Sequence, residues 1–378
     1  VMIWNYKPNH QFIEKSVAKE VITNEKKDIV DVLKPYRAVI HTDNTYKGTT
    51  STSYIQSVLS YLENANADDL TLTDNNLSVQ QINELMSINN RLTMFWSANI
   101  PLQSFIEILK FETEYLPEIS FDRIIIDWNS INKNRKLTVF LLNTTNRTLY
   151  RTTIEHQLES RVLNTFVEPT KSFYIYTEIK RGNFLSLYTP ANSVESVKYM
   201  YLMNKDIPID KFKKILFQNQ EIIQQSETDS IKQYNDSMSR MTVDTKNRIL
   251  NYVYTRSVGL ASIEPSRLLR ESFNFINEHG GYNADYRLSL INIDKHIVEY
   301  QMYYQGLPVF SAETATKIST TWGDEEIHKY RRPYYVLEND IPTEMKVKYL
   351  PSGLEIVEKY VHSDEDIKDL VLGYYLIQ

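Results

Sequence analysis

The chain contains 378 residues, of which 42% are hydrophobic and 24% are charged, and its formal net charge is -6 at pH 7. This length and composition are typical of a folded protein with more than one buried core. The absence of cysteine excludes disulfides, thiolate metal sites and cysteine nucleophiles. The charge is spread along the chain without a block of lysine and arginine, so nucleic acid is not a predicted partner.

The first eight residues, VMIWNYKP, allow two interpretations. A short apolar run that ends in aromatic and lysine residues resembles the outer edge of a transmembrane helix at the lipid headgroups. The same residues also suit a hydrophobic first strand. On the first interpretation the membrane-proximal residues are Val1, Met2, Ile3, Trp4 and Tyr6. The run itself is too short to be a membrane span or a signal peptide.

Strands and helices alternate between residues 35 and 99. Strands are predicted in PYRAVIH, DDLTLT and RLTMFW, and helices in TSYIQSVLSYL and SVQQINELM. Tyr54, Val58 and Tyr61 recur at helical spacing, and Ser78 stands where the second helix needs an N-cap. The alternation predicts a small α/β domain over residues 1–100.

Pro101 follows a predicted strand and marks a predicted boundary near residue 100. We expect a helix in LQSFIEILKF, strands in FDRIIIDW and KLTVFLL, and a second helix with Ile154, Leu158, Val162 and Phe166 on one face. Strands are then predicted in FYIYTEI, NFLSLYT and VESVKYMYLM, followed by the helix PIDKFKKILF and a pair of polar edge strands. The sequence thus predicts a central domain of helix and antiparallel sheet over residues 101–259.

A third unit is predicted over residues 260–378. Pro265 suits the first turn of a helix that carries Leu269, Phe273 and Ile276 and ends at a His-Gly-Gly segment. Strands are predicted in HIVEYQMYYQ, KISTTW, IHKYRRPYYVL and DIKDLVLGYYL, and a helix in GLEIVEKY. This order predicts helices on one face of an antiparallel sheet, so the overall class is α+β.

The segment His279-Gly280-Gly281 has two possible roles. Histidine before two glycines occurs in the oxyanion loops of lipase-type enzymes, where backbone N–H groups stabilise an acyl-transfer intermediate. The chain has no G-x-S-x-G nucleophile elbow, and in that fold the loop precedes the elbow. We therefore interpret the segment as a helix end, in which a glycine adopts the left-handed conformation.

Other patterns for chemistry are weak. The seven histidines are too far apart for a short metal motif, and the glycines form no dinucleotide, kinase or Walker loop. Two acidic runs, at residues 324–326 and 364–366, are predicted turns rather than a glycosidase pair. Adjacent strand residues Arg331 and Arg332 point to opposite faces, so we expect one to be solvated and the other to pair with an acid. No catalytic, cofactor-binding or metal-binding residues are predicted.

Tyrosine, with 27 residues, is unusually frequent. Tyrosines at strand spacing, such as Tyr174 and Tyr176, favour packing on a half-buried sheet. A tyrosine-lined groove for carbohydrate or peptide is the alternative.

Three runs in the last third, FNFINEHGGYNADYRL, VEYQMYYQGLPVF and ISTTWGDEEIHKYRRPY, resemble the YycH family of Firmicute regulatory proteins, as does VMIWNYKP at the start. The residues that mark the resemblance are His279, Gly280, Gly281, Gly306, Pro308, Trp322 and Gly323. The resemblance is close over residues 271–335 and loose elsewhere.

This resemblance implies an extracytoplasmic protein that is anchored by a single transmembrane helix before residue 1. It implies that the protein works with YycI and controls the sensor histidine kinase YycG, also called WalK, which governs cell-wall metabolism. It also implies a non-enzymatic role and a three-domain fold whose central and C-terminal domains share a topology. A wall-polymer or carbohydrate-binding protein is the alternative function.

Overall fold

The computed structural model describes residues 2–4, 26–196, 199–255, 262–324, 326–342 and 348–377. The strands form two large sheets, and the helices pack on them. The helices are α1 Ile29–Val32, α2 Thr52–Glu63, α3 Val79–Met86, α4 Ile131–Asn134, α5 Glu159–Val162, α6 Ile209–Leu216, α7 Pro265–Glu278 and α8 Gly353–Tyr360. Shorter 3₁₀ and π turns lie at Leu102–Ser104, Leu163–Val167, Glu168–Ser172 and Gln220–Ile222.

The first sheet is built from the first half of the chain. After β1 Met2–Trp4, its strands are β2 Arg37–Thr42, β3 Thr45–Thr49, β4 Asn66–Ala67, β5 Thr71–Asp74, β6 Arg91–Pro101, β7 Lys110–Phe111, β8 Ser120–Asp127, β9 Leu137–Asn143, β10 Thr148–Ile154, β11 Tyr174–Arg181 and β12 Phe184–Pro190. They lie in the order β12-β11-β3-β2-β6-β8-β9-β10-β4-β7, and β5 also pairs with β10. The central pairs, such as β2 with β6 and β6 with β8, are antiparallel.

Helices cover both faces of the first sheet. Ser51 caps α2 by accepting a hydrogen bond from the Tyr54 amide at 3.3 Å, and α2 buries Val58 and Leu62 in the main core. On the other face, α3 buries Ile82 and Met86 against a second cluster. Because both faces are covered, β6 is buried at every position from residue 91 to 96.

The second sheet is built from the second half of the chain. The remaining strands are β13 Val194–Ser196, β14 Tyr199–Asp206, β15 Gln224–Thr228, β16 Ile231–Asn235, β17 Ser239–Asp244, β18 Ile249–Tyr254, β19 Asp285–Asn292, β20 Ile297–Tyr304, β21 Leu307–Phe310, β22 Lys317–Trp322, β23 Ile327–Pro333, β24 Tyr335–Pro342, β25 Lys348–Leu350, β26 Leu370–Leu372 and β27 Tyr374–Tyr375. The sheet order is β15-β16-β17-β18-β23-β22-β20-β21-β27, and β19 also pairs with β20. Separate ladders join β1 to β26, β13 to β25 and β14 to β24.

Helix α7 packs on the second sheet through an apolar stripe. It begins with Pro265 in its first turn and buries Leu269, Phe273 and Ile276 among sheet residues such as Tyr300. The predicted polar edge strands are β15 and β16, and every residue of β15 is exposed at the sheet edge. These elements follow the sequence prediction closely, because each has a clear period and a start or stop signal.

The α+β class is confirmed, but the sheets do not divide at the predicted domain limits. Residue 100 falls inside β6, which pairs with β8 on the far side of that limit. Residue 260 also falls within the span of one sheet, since β18 pairs with β23. One continuous core cluster contains residues from both sheets. The limits 1–100, 101–259 and 260–378 therefore do not coincide with limits of the sheets. The three-domain division and the shared topology of the later domains stay predictions.

Three local predictions need correction. The N-terminal strands β2, β3 and β6 pair antiparallel, so the predicted α/β region is part of an antiparallel sheet. The predicted helix LQSFIEILKF is a 3₁₀ turn followed by β7, because residues 110–111 pair with β4. The predicted stripe from residue 154 to 166 is also broken, because Ile154 ends β10 and Leu158 is 52% exposed. Tertiary pairing overrides helical spacing at these positions.

Candidate functional site

The residues that mark the family resemblance lie at two separate places. His279, Gly280 and Gly281 lie at the end of α7, and Trp322, which precedes Gly323, packs on Phe275 of that helix. By contrast, Gly306 lies in the turn before β21, and Pro308 lies in β21 itself.

The first group contains the cap of α7. The amide of Gly281 donates to the Ile276 carbonyl at 2.8 Å, and the amide of His279 donates to the Phe275 carbonyl at 2.9 Å. Gly280 and Gly281 have φ angles of 106° and 71°. These bonds and angles form a glycine-based cap of the Schellman type. The structure therefore places this segment at a helix end, as the sequence predicted.

The same contacts occupy the groups that an oxyanion site would use. Two of the amides are bonded to carbonyls of α7, so they are not turned toward a substrate. Nδ1 of His279 lies 2.7 Å from the Phe275 carbonyl, which can only accept, so this nitrogen carries the proton and donates. The imidazole also stacks on Phe275 at 3.9 Å between ring centroids, and burial lowers the pKa of His279. The histidine thus acts as a packed helix terminus.

A buried arginine fastens the cap to the second sheet. Arg332 is 1% exposed, and its Nη1 donates to the Gly281 carbonyl and to the Tyr330 hydroxyl, each at 2.8 Å. Tyr330 in turn donates to the His279 carbonyl. The neighbouring Arg331 is exposed, as expected. The prediction that the second arginine pairs with an acid is wrong, because Arg332 donates to carbonyl and hydroxyl oxygens. The helix end offers unpaired carbonyls, which an arginine fork satisfies.

The second group lies where the two sheets meet, a region called the junction below, which includes Gly306 against Thr50 and Arg37 against Asp369. Gly306 has a φ angle of 79°, and a Cβ built on it would lie 2.2 Å from the Thr50 carbonyl oxygen. Thr50 follows β3 of the first sheet, so the β20–β21 turn touches the first sheet where only glycine fits. Pro308, the second residue of β21, lines a cleft between the sheets.

A buried ion pair crosses the same junction. Arg37 of β2 donates from Nη2 to Asp369 at 2.7 Å, and the two side chains are 4% and 9% exposed. Its Nη1 donates to the Leu370 carbonyl at 3.2 Å, and the Tyr36 hydroxyl donates to the same carboxylate. The C-terminal segment is therefore held to the first sheet by charge-assisted hydrogen bonds in a dry environment.

A second cluster lies beside this pair. Asp122 and Arg123 of β8 are 0% and 4% exposed, with Nη1 of the arginine 3.5 Å from the carboxylate. Lys368 places its Nζ 3.6 Å from the same carboxylate and donates to the Ser97 carbonyl at 3.2 Å. Asp122 also accepts from the Thr144 amide at 2.8 Å.

The second sheet contributes an arginine of its own. Arg287 of β19 is 2% exposed and donates to the Pro35 carbonyl, before β2, at 2.8 Å. It also pairs with Asp285 at 2.8 Å and lies over the ring of Tyr303 at 4.3 Å. Buried guanidinium groups thus join the sheets from both sides, and because each is bonded, separating the sheets would leave charges unpaired.

A cleft of about 220 Å³ opens beside these clusters. Residues from the first sheet, the second sheet and the C-terminal segment line it: Tyr36, Ser97, Ser289, Gln301, Tyr303, Pro308, Phe310, Lys317, Lys368, Asp369 and Val371. It is therefore a feature of the assembled sheets rather than of either sheet alone.

Three of the five predicted membrane-proximal residues, Met2, Ile3 and Trp4, are among the residues that the structure describes. The segment from Met2 to Trp4, which includes Ile3, forms β1 and pairs in parallel with residues 370–372 of β26, one of the strands beside the cleft. Val1 and Tyr6 lie outside the described residues. The backbone of this segment follows the strand interpretation, and the membrane-proximal role stays a prediction.

Tyrosines mostly serve the packing that their strand spacing predicts. Tyr188, Tyr300 and Tyr330 are buried in the cores, and the hydroxyls of Tyr300 and Tyr330 donate to the Ser272 hydroxyl and the His279 carbonyl. Of the two tyrosines named for this packing, Tyr176 is buried, whereas the packing predicted for Tyr174 is wrong because its side chain is 51% exposed. Tyr115, on a loop, and Tyr349, on β25, are also exposed.

The junction was not predicted from the sequence. Asp122 and Arg123 stand inside the apolar strand FDRIIIDW, which is a local signal that charged groups are buried. Their partners cannot be located from this signal, because Arg37 and Asp369 are 332 residues apart. Patterns among residues that are close in the sequence therefore do not predict the contacts between the two sheets.

Two properties of the described residues concern metal binding and membrane insertion. Nowhere in these ranges do three histidine, aspartate or glutamate side chains converge as a metal site would require. None of the helices in the described ranges combines the length and the apolar character needed to cross a membrane.

The chain matches two family models. Residues 1–172 match the model for the YycH protein, N-terminal domain, and residues 185–378 match the model for the YycH protein, C-terminal domain. Together these matches cover most of the chain, and the short gap between them lies around β11.

Two similar proteins come from Bacillus subtilis. The chain is 21% identical over 297 residues to the "Two-component system WalR/WalK regulatory protein YycH" of strain 168, and the match covers 76% of this chain and 64% of that protein. It also superposes on the crystal structure of YycH from Bacillus subtilis with a TM-score of 0.76 at 17% identity, covering 92% of this chain and 94% of that one. The second likeness shows a shared fold.

Proposed function

Because the chain belongs to the YycH family, we propose that it is a non-enzymatic regulator of the sensor histidine kinase YycG/WalK, acting with YycI outside the cytoplasm. The observation that carries the proposal is the match to both family models, from one end of the chain to the other. The printed name of the Bacillus subtilis relative, a regulator of WalR/WalK, supports the regulatory part.

The packing of the molecule supports action by binding. The His-Gly-Gly segment, which first suggests an enzyme, is occupied in capping α7. The buried ion pair of Arg37 with Asp369 and the glycine contact at Gly306 hold the two sheets in one arrangement. A partner surface that spans both sheets would therefore be preformed, which lowers the entropic cost of association.

The proposal includes a membrane anchor that precedes residue 1. Such a helix would deliver the chain to β1, which pairs with β26 beside the junction. Contacts within the bilayer would then add to contacts between the folded domains, and the two would act as linked binding sites.

The test is co-purification from membranes. The protein with its natural upstream segment would be captured from detergent extracts, and YycI and YycG/WalK would be identified among the retained proteins. We expect both to be retained, and autophosphorylation of the kinase in liposomes to change when this protein is added. The same chain beginning at residue 1 is the control, and we expect it to retain less kinase. Extracts in which both partners are folded but neither is retained by the anchored protein would contradict the proposal.

A further inference from the structure

The cleft between the sheets has the size of a small-molecule site. Its volume of about 220 Å³ corresponds to about seven water molecules, at roughly 30 Å³ each in the liquid. Pockets for drug-sized ligands span about 300 to 1,000 Å³, so this cleft suits a smaller molecule. A molecule of about ten non-hydrogen atoms is the appropriate scale for this volume.

The ionisable groups behind the cleft have an excess positive charge. Arg37, Arg123 and Lys368 are the cations of this cluster, and Asp122 and Asp369 are its carboxylates. Three positive and two negative charges leave one positive charge without a counter-charge. A charge in a partly dry environment is costly unless it is paired, so this excess favours an anion nearby. Lys317, which also lines the cleft, does not change this net charge, because its Nζ lies 3.6 Å from the Glu299 carboxylate and the two charges cancel.

The excess charge is presented in the cleft by Lys368. Four of the five side chains are at most 9% exposed, whereas the Lys368 side chain is 41% exposed and lines the cleft. Burial and the nearby Arg123 lower the pKa of this lysine, although Asp122 acts in the opposite direction. An anion bound against its Nζ would therefore relieve an unfavourable interaction that exists before binding.

The other walls suit an apolar body with a few polar contacts. Pro308, Phe310, Val371 and the ring of Tyr303 provide the apolar surface. The amide of Gln301 is fixed, because its Nε2 lies within hydrogen-bond distance of the Val309, Met302 and Thr316 carbonyls, at 2.5, 3.1 and 3.2 Å. A largely apolar cleft with a few fixed polar groups is the usual composition of a ligand site.

From these features we propose that the cleft binds a small monocarboxylic acid with an apolar body, with Lys368 as the counter-ion of the carboxylate. A single carboxylate matches the single excess charge, whereas a phosphate dianion would leave the cluster negatively charged. The inference concerns the isolated chain and does not depend on the proposed protein partners. It assigns the junction between the sheets a second role, as a site where a small acid binds.

The experiment is an NMR titration of the full 378-residue chain with side-chain-labelled lysine. The probe is 3-phenylpropionate, and its neutral amide, 3-phenylpropionamide, is the matched ligand control. We expect the carboxylate to give a saturable change in the Lys368 signal and to raise the pKa of that amine. The amide should bind more weakly by at least about tenfold, because it cannot form the charge-assisted hydrogen bond.

Two variants complete the test. Lys368→Met keeps the length of the side chain and removes the charge, so it should weaken binding of 3-phenylpropionate by at least about tenfold. Lys329→Met, on the exposed side of β23, should bind as the native chain does. The proposal is overturned if the native chain shows no saturable change, if the amide binds as tightly as the acid, or if Lys368→Met binds unchanged. The comparison of acid with amide uses the native chain and so does not depend on how the variants fold.

Discussion

The two glycines at the end of α7 should differ in their tolerance of a side chain. Both have positive φ angles, so alanine at either position costs about 1 kcal/mol of backbone strain. A Cβ on Gly280 would also lie 2.6 Å from Nη1 of Arg332 and 2.6 Å from a ring carbon of Phe212. At Gly281 a Cβ would have no heavy atom within 4 Å.

The expected stability losses follow from these contacts. Arg332 and Phe212 are 1% and 0% exposed, so neither can move into solvent to relieve the clash. Overpacking of this kind costs about 1 to 3 kcal/mol, so Gly280→Ala should lower the free energy of unfolding by about 2 to 4 kcal/mol in total. Gly281→Ala should cost about 1 kcal/mol, from strain alone.

The assay is unfolding in urea, followed by circular dichroism, with hydrogen exchange of the Gly281 amide as a local readout. That amide donates to the Ile276 carbonyl, so its protection reports the cap itself. A second substitution tests the mechanism. Phe212→Leu should cost less in the Gly280→Ala background than in the native chain, because the smaller side chain removes part of the clash. Equal losses for the two alanine variants, or strict additivity with Phe212→Leu, would refute the reasoning.

Three further predictions concern the junction and the helix end. Asp369→Ala should lower the free energy of unfolding by about 3 to 5 kcal/mol, because it leaves Arg37 buried without its carboxylate. Adding Arg37→Met should recover part of this loss in a double-mutant cycle by urea unfolding, and additive losses would contradict a direct pairing. Gly306→Ala should lower the thermal unfolding midpoint, since its Cβ would meet the Thr50 carbonyl at 2.2 Å, and an unchanged midpoint would show that the sheets do not meet there. The pKa of His279 is lowered by burial, so the unfolded chain binds more protons than the folded chain below the ordinary histidine pKa, and stability should fall as the pH drops through that range. His279→Gln should reduce this acid sensitivity in urea unfolding at several pH values, and an identical pH profile would exclude the histidine as its source.

Local order in this protein follows from the sequence alone. Helices α2, α3, α6, α7 and α8 and most strands lie where apolar period and capping residues predict them. The end of α7 at His279 was predictable in the same way, because a histidine and two glycines after an apolar stripe are sufficient signals. The sequence also contains neither a nucleophile elbow nor a short histidine metal motif.

The errors occur where a distant strand decides the local structure. Leu102, Phe105 and Leu109 are all buried, as the helical stripe requires, but in a turn whose next residues pair with β4. Pro101 ends β6, and the domain boundary near it stays a prediction. The partner of Arg332 was also predicted wrongly for this reason. Its guanidinium donates to a carbonyl at the end of α7, which only the tertiary fold brings close, rather than to an acid.

The sequence by itself determined the helix and strand segments, the helix end at His279 and the family resemblance, since each depends on residues within a few positions of one another. Only the tertiary structure decided the order of the strands, the ion pair between Arg37 and Asp369 and the cleft beside Lys368. The physical reason is that the periodicity of apolar residues shows which side chains are buried, but not which residues they are buried against. Charges 332 residues apart acquire partners only when both sheets have formed and excluded water between them.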